Sequence, residues 1–112
     1  MANKHPKSLR MRKTDDYSSM IRLGKKSGLE GEELHDIAVA YGFFLGDELI
    51  ACAALKELNG VYSVECLAVD EGRRAMGLGS RLLTKVEYEA EKRGAKRVWA
   101  LARQPGFFRK KA

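Results

Sequence analysis

One stretch limits the fold more than any other. In residues 64–102, VECLAVDEGRRAMGLGSRLLTKVEYEAEKRGAKRVWALA, an apolar run leads into a glycine-bearing loop, a helical pattern and a second apolar run. From Gly77 to about Arg93 the residues Leu78, Leu82, Leu83, Val86 and Ala90 recur at helical spacing, and Gly94 is a stop signal. A strand, a Gly-rich turn, a helix and another strand make a right-handed crossover, so VECLAV and RVWALA should run parallel. The loop then lies at the carboxyl end of a strand, where a helix begins.

The rest of the chain reads as antiparallel structure. LRMRK alternates like a short strand, and DDYSSMIRLGKKSG reads as a helix capped by Asp15 or Asp16 and ended by Gly28. Tyr17, Met20 and Leu23 or Ile21 form its apolar face. LEGEELHD is a loop or a second short helix. IAVAYGFFLGDELIACAAL is a hairpin turning near residues 45–48, and a second turn at 57–60 leads to VYSVECLAV. The expected class is α+β, with a mostly antiparallel sheet, one parallel crossover and flanking helices.

At 112 residues and 45% hydrophobic content, the chain supports one core. The expected organisation is a flexible tail over residues 1–8 and one domain over 9–112. No apolar run approaches the roughly 20 residues that span a bilayer, and the basic N-terminus lacks the apolar segment of a secretory signal. A cytoplasmic location is expected. Cys52 and Cys66 lie in strand-like runs without metal-ligand spacing or a CxxC pair, which suits small buried hydrophobes; no metal is called for.

Charge is segregated. Residues 1–27 carry a net +6, residues 28–71 a net −9 with a single Lys against ten Asp/Glu, and residues 72–112 a net +9. A basic tract attracts nucleic acid or surrounds a small polyphosphate, and equally forms a solvated surface. No recognised nucleic-acid motif accompanies it.

At a helix start the first backbone N–H groups lack partners, and the helix dipole favours an anion. Gly77 and Gly79 let the backbone approach a phosphate closely, and Arg73, Arg74 and Arg81 add donors. Two familiar phosphate loops fail on required residues. A P-loop needs Gly-Lys-Ser/Thr where Gly79 is followed by Ser80 and Arg81, and a dinucleotide fingerprint needs glycine at Leu82.

Taken whole, CLAVDEGRRAMGLGSRLLTKVEYEAEKRGAKRVWAL resembles motif A of the GNAT acetyltransferases, with R-x-x-G-x-G at Arg74, Gly77 and Gly79. The pattern around ECLAV, GAKRVWAL and GFFRK is similar to the N-acetylglutamate-synthase-like branch. The resemblance implies a sheet with splayed strands and an acetyl-CoA site. The N–H groups of Ala75, Met76, Gly77, Leu78, Gly79 and Ser80 would bind the pyrophosphate, and Leu67, Ala68 and Val69 would pair with the pantetheine arm. It also implies that the family's last two strands are absent, since the chain stops at Ala112.

Direct acetyl transfer needs a neutral amine beside the thioester and a base to make it. Glu65 is the candidate base: it is an ionisable residue inside an apolar strand and by period two faces the side of Ser63 and Leu67. The competing reading is a surface glutamate on the strand's outer face. In the synthase-like pattern the glutamate sits two positions earlier, at Ser63, so both residues are catalytic candidates. The family's proton-donating tyrosine is matched here by Phe108, which cannot donate; the oxyanion donor implied is the N–H of Val69 or its neighbour. His5 and His35 read as surface residues.

The acceptor implied is a small amine or amino acid. Arg12, Arg22, Lys25 and Lys26 either bind an acceptor carboxylate or are solvated helix residues. Trp99 and the Phe43–Phe44 pair read as core. Two further readings stand beside the enzyme: an acetyl-CoA-binding domain with little activity, suggested by Phe108 and Ser63, and a basic nucleic-acid module. RVWALA reads as an apolar edge strand, which is covered either in a homodimer or by the chain's own FFRKKA segment.

Overall fold

The computed structural model describes residues 8–29 and 33–100. Five strands form one sheet in sequence order: β1 (Leu9–Lys13), β2 (Ile37–Leu45), β3 (Glu48–Leu58), β4 (Val61–Val69) and β5 (Val98–Ala100). The first four pair antiparallel, and β5 pairs parallel with β4 through Tyr62–Val98, Ser63–Trp99 and Val64–Ala100. Residues 1–7 of the expected tail, Leu101 to Ala112 and the middle of the acidic loop at 30–32 lie outside the described residues.

Local chemistry explains the connections. Helix α1 (Tyr17–Lys26) is capped by Asp16, whose Oδ1 accepts from the Ser19 N–H at 3.1 Å and whose Oδ2 accepts from the Ser19 hydroxyl at 2.7 Å. The hydroxyl bond, followed by the backbone bond, holds that carboxyl below its usual range. The β3–β4 turn puts Asn59 and Gly60 at φ 54° and 79°, the left-handed pair that suits the twist of a two-residue hairpin.

The sheet carries one helix on each face. Helix α2 (Leu78–Lys92) buries Leu78, Leu82, Leu83 and Val86 against Tyr41, Phe43, Ala53 and Leu55. Helix α1 buries Met20 and Leu23 against Ala40, Cys52, Ala54, Cys66 and Ala68. Strand alternation assigns every central residue to one helix or the other, which is why β2 and β3 read as nearly continuous apolar runs. Truncating a fully buried Leu82 to Ala would cost about 2–5 kcal/mol. Trp99 corrects the core reading: Val98 turns inward at 2% exposure, and the next residue, Trp99, is 43% exposed. Phe43 and Phe44 are buried as expected.

Candidate functional site

The site begins with a fault in β4. Glu65 pairs with Ala54 and Ala68 with Cys52, so Cys66 and Leu67 together stand opposite Ala53. Cys66 adopts φ 55° to make this bulge. Its thiol donates to the Met20 carbonyl at 3.3 Å, and its carbonyl accepts from the Cys52 thiol at 3.4 Å. The fault is thereby fastened to α1 and β3.

The bulge resets the side-chain phase. Ser63 and Glu65 share the α1 face, where Ala54 lies beside Glu65, but Leu67 packs with the core under α2. The expected grouping of Glu65 with Leu67 is therefore corrected, because period two does not survive an inserted residue. Ser63 and Glu65 are both half-buried, and the Ser63 hydroxyl donates to Glu65 Oε2 at 3.1 Å.

Beyond Val69 the chain makes a 3₁₀ segment over Glu71–Met76, kinked at Arg73, which sequence periodicity did not reveal. Gly77 then takes φ 75° and ψ 16°, and α2 starts at Leu78 with no side chain capping it. Its first internal bond is from the Arg81 N–H to the Gly77 carbonyl at 3.2 Å. The N–H groups of Leu78, Gly79 and Ser80 thus lie ahead of the intrahelical ladder. A Cβ at Gly77 would meet nothing within 4 Å. An uncapped helix start with open space at its left-handed glycine is a backbone cradle for an anion.

The basic side chains are distributed unevenly around that cradle. Arg74 Nε donates to the Val69 carbonyl at 3.3 Å, tying the loop back to β4. The same carbonyl accepts from the Ser27 hydroxyl at 3.4 Å, which draws the end of α1 to the end of β4. Ala75 and Met76 are exposed, while Leu78 and Gly79 are buried. Arg81 lies 4.8 Å from the centroid of Phe43. A groove of about 500 Å³, lined by Met11, Ser80, Arg81, Thr84, Lys85 and Tyr88, runs along α2 beside β1, and none of its lining belongs to β4.

The structure separates the expected acceptor residues. Arg12 is in register with Gly42, Cys52 and Ala68 in turn, which puts it three strand spacings of about 4.8 Å each from β4. Its guanidinium sits 4.1 Å from the Phe44 centroid. Arg22 donates to Ser19 Oγ at 3.2 Å, and Lys25 and Lys26 are exposed in the last turn of α1. His35 is exposed and pairs with Glu33 at 2.9 Å. Phe108 and His5 lie outside the described residues. On the Glu65 face, Lys56, opposite Ser63 on β3, escaped the sequence reading, and Trp99, opposite Ser63 on β5, was weighed there as core against substrate platform and read as core. The unmatched single Lys of the acidic segment was the signal for Lys56.

Both cysteines are free and buried, and the described residues hold no cluster of three or more metal-ligating side chains. The hydrogen bond with Cys66, reinforced by burial, pushes the Cys52 thiol well above its usual range, which makes it inert.

Residues 10–110 match the model of the acetyltransferase (GNAT) family. The chain belongs to the GNAT family. Its fold is that of GNAT structures: the ribosomal-protein-S18-alanine N-acetyltransferase of Escherichia coli superposes with a TM-score of 0.71 at 16% identity, over 88% of this chain and 70% of that one. A Bacillus subtilis acetyltransferase in complex with CoA gives 0.67 at 21% identity, over 83% and 64%. A Mycobacterium tuberculosis protein in complex with CoA gives 0.70 at 18%, over 89% and 67%. No curated protein matches the chain. Among the described residues no helix of this GNAT protein is long and apolar enough to cross a membrane.

Proposed function

We propose that this GNAT protein is an acetyl-CoA-dependent N-acetyltransferase that acts by direct transfer on the primary amine of a small molecule or amino acid. The observation that carries the reading is the uncapped start of α2 at left-handed Gly77, placed at the end of the strand that bears Ser63 and Glu65. The backbone of 75–80 would hold the pyrophosphate of CoA, with Arg74 bracing the loop, and Leu67, Ala68 and Val69 would hold the pantetheine arm. When bound, acetyl-CoA supplies an activated acyl group. Glu65 takes the proton that leaves the amine, and the Ser63 hydroxyl, which donates to Glu65, orients the carboxylate or relays that proton.

An acetyl-CoA-binding domain with little activity is the second reading, favoured by Phe108 at the position that the family resemblance gives to a tyrosine. An acetyl-transfer screen over amino acids and polyamines, run beside calorimetry with CoA and a short duplex, separates the readings. Turnover supports the enzyme, CoA binding alone supports the second reading, and duplex binding without CoA binding removes both. The N-acetylglutamate-synthase-like branch rests on the sequence pattern alone. A homodimer is part of the proposal because the apolar run RVWALA reads as an edge strand that a second copy would cover. A single monomeric species at micromolar and submicromolar concentrations in sedimentation would rule the dimer out.

A further inference from the structure

The α1 face of the sheet holds two opposite charges that do not pair with each other. Lys56 is the one Lys or Arg in residues 28–71, a segment with ten Asp/Glu. It is in register with Ser63, and Glu65 follows two residues along β4, opposite Ala54. Directly opposite side chains start about 4.5–5.5 Å apart and diagonal ones about 7–8 Å apart. Both charges stand on the α1 face: Ile37, the β2 partner of Lys56, and Ala54, the β3 partner of Glu65, pack in the core under α1.

Among the described residues the four ion pairs include neither Lys56 nor Glu65, and the one bond to the Glu65 carboxylate comes from Ser63. The ammonium and the carboxylate are therefore more than the 4.0 Å of an ion pair apart. A third group completes the face. Trp99, opposite Ser63 on the other side, is 43% exposed, and the Arg97 guanidinium lies 5.7 Å from its ring centroid.

We propose that Lys56 is the carboxylate anchor of the acceptor site, so that the acceptor is a free amino acid, its amine at Glu65, its carboxylate at Lys56 and its side chain toward Trp99. This rests on the acetyltransferase reading above. A charge-assisted bond of about 2.7–2.9 Å at each pole, with the short amino-to-carboxylate span between them, fits a gap set by one diagonal of the sheet. A polyamine does not fit, because its second cation meets Lys56 and Arg97 rather than an anion. The basic residues of β1 and α1 give no such pairing: Arg12 is three strands away, whereas Lys56 faces Ser63 across one ladder step.

The test uses paired acceptors, each common amino acid against its amide and its decarboxylated amine, with acetyl-CoA as donor. The expected result is a preference for the free carboxylate of about ten- to a hundredfold in kcat/KM, the worth of one charge-assisted contact. In Lys56→Gln that ratio should fall toward one through KM, Lys56→Arg should restore most of it, and CoA affinity by calorimetry should stay at the wild-type value. Wild-type preference for amides or polyamines, or equal losses on both acceptor classes in Lys56→Gln, overturns the anchor and leaves the acetyltransferase reading standing. If no acceptor turns over, saturation-transfer NMR with free amino acids decides: binding to wild type that Lys56→Gln abolishes upholds the anchor, and no binding to wild type overturns it. Failure of the functional reading is read separately, as absence of CoA binding.

Discussion

Tyr41 on β2 donates its phenolic hydrogen to Oε2 of Glu89 on α2 at 2.8 Å, joining residues 48 apart in sequence inside the core. Arg93 holds the other carboxylate oxygen at 2.7 Å, and Lys92 and Lys85 stand at 3.5 and 3.8 Å. The Arg93 bond, with help from Tyr41 and against the opposing effect of burial, brings Glu89 down from 4.5 to about 2. Burial first, then the Glu89 bond, pushes Tyr41 from 10.0 up to about 12. A depressed carboxyl stabilises the fold above its unfolded value, so this contribution is full above about pH 4.5 and is lost as the pH falls toward 2. Tyr41 works at the other end: its contribution is full below pH 10 and is lost as the pH rises through 12. Tyr41→Phe should cost about 1–3 kcal/mol in denaturant unfolding at pH 7. Glu89→Gln should flatten the acid limb of stability against pH. An acid limb identical to wild type in Glu89→Gln would assign acid unfolding to other carboxylates.

Substitution at Gly77 tests the anion cradle with a known structural cost. A Cβ there meets no neighbouring atom, but φ 75° strains any L side chain and a branched one most. Gly77→Val should lose about 1–2 kcal/mol of stability and should abolish CoA binding, because its branches occupy the space in front of the free N–H groups. Gly77→Asn, which tolerates the left-handed region, should fold with a smaller penalty and still bind CoA more weakly than wild type. Normal CoA affinity in both variants, measured by calorimetry, would place the phosphate site elsewhere.

The sequence carried the elements and missed their phase. Alternation in β1, the apolar runs of β2 to β4, the turns near 45–48 and 57–60 and the Gly94 stop were enough to place the four antiparallel strands and α2, and the crossover rule set β5 parallel to β4. The bulge at Cys66 was not legible, since neither Gly nor Pro marks it and a register shift depends on the facing strand. The side of the sheet on which Leu67 falls was lost with it. Trp99 was misread for a related reason: RVWALA is apolar on both faces, and nothing in a six-residue run tells which face a helix covers. Lys56 drew no notice because its meaning lies in what stands opposite, Ser63, and one rung on, Glu65.

Glu65→Gln addresses the base. It keeps the shape of the side chain and the acceptor for the Ser63 hydroxyl, and it removes the group that takes up the amine proton. Turnover should fall by about 10²–10⁴-fold, most at pH values below the pKa of the acceptor amine, where the acceptor arrives protonated. CoA affinity should not change. Ser63→Ala should give a smaller loss if Ser63 only orients the carboxylate and a comparable loss if it relays the proton. Equal rates for wild type and Glu65→Gln across the pH range would make Glu65 a surface residue of the strand.

The bulge itself is open to mutation. Cys66 is buried, holds φ 55° and donates its thiol to the Met20 carbonyl, so it serves backbone geometry and packing together. Glycine tolerates that φ, whereas valine is strained there, and both lose the thiol donor. Cys66→Gly should therefore keep the register and the Ser63–Glu65 face, with a stability loss of about 1–3 kcal/mol from the lost side chain and contact. Cys66→Val should lose more, because the branched residue favours regular β backbone and a strand without the bulge turns Glu65 and Ala68 to opposite faces. Denaturant midpoints give the stability order, and the ratio of acetyl transfer to CoA binding gives the placement of Glu65. If Cys66→Val were as stable and active as Cys66→Gly, the left-handed turn at Cys66 would not be what sets the phase of this strand.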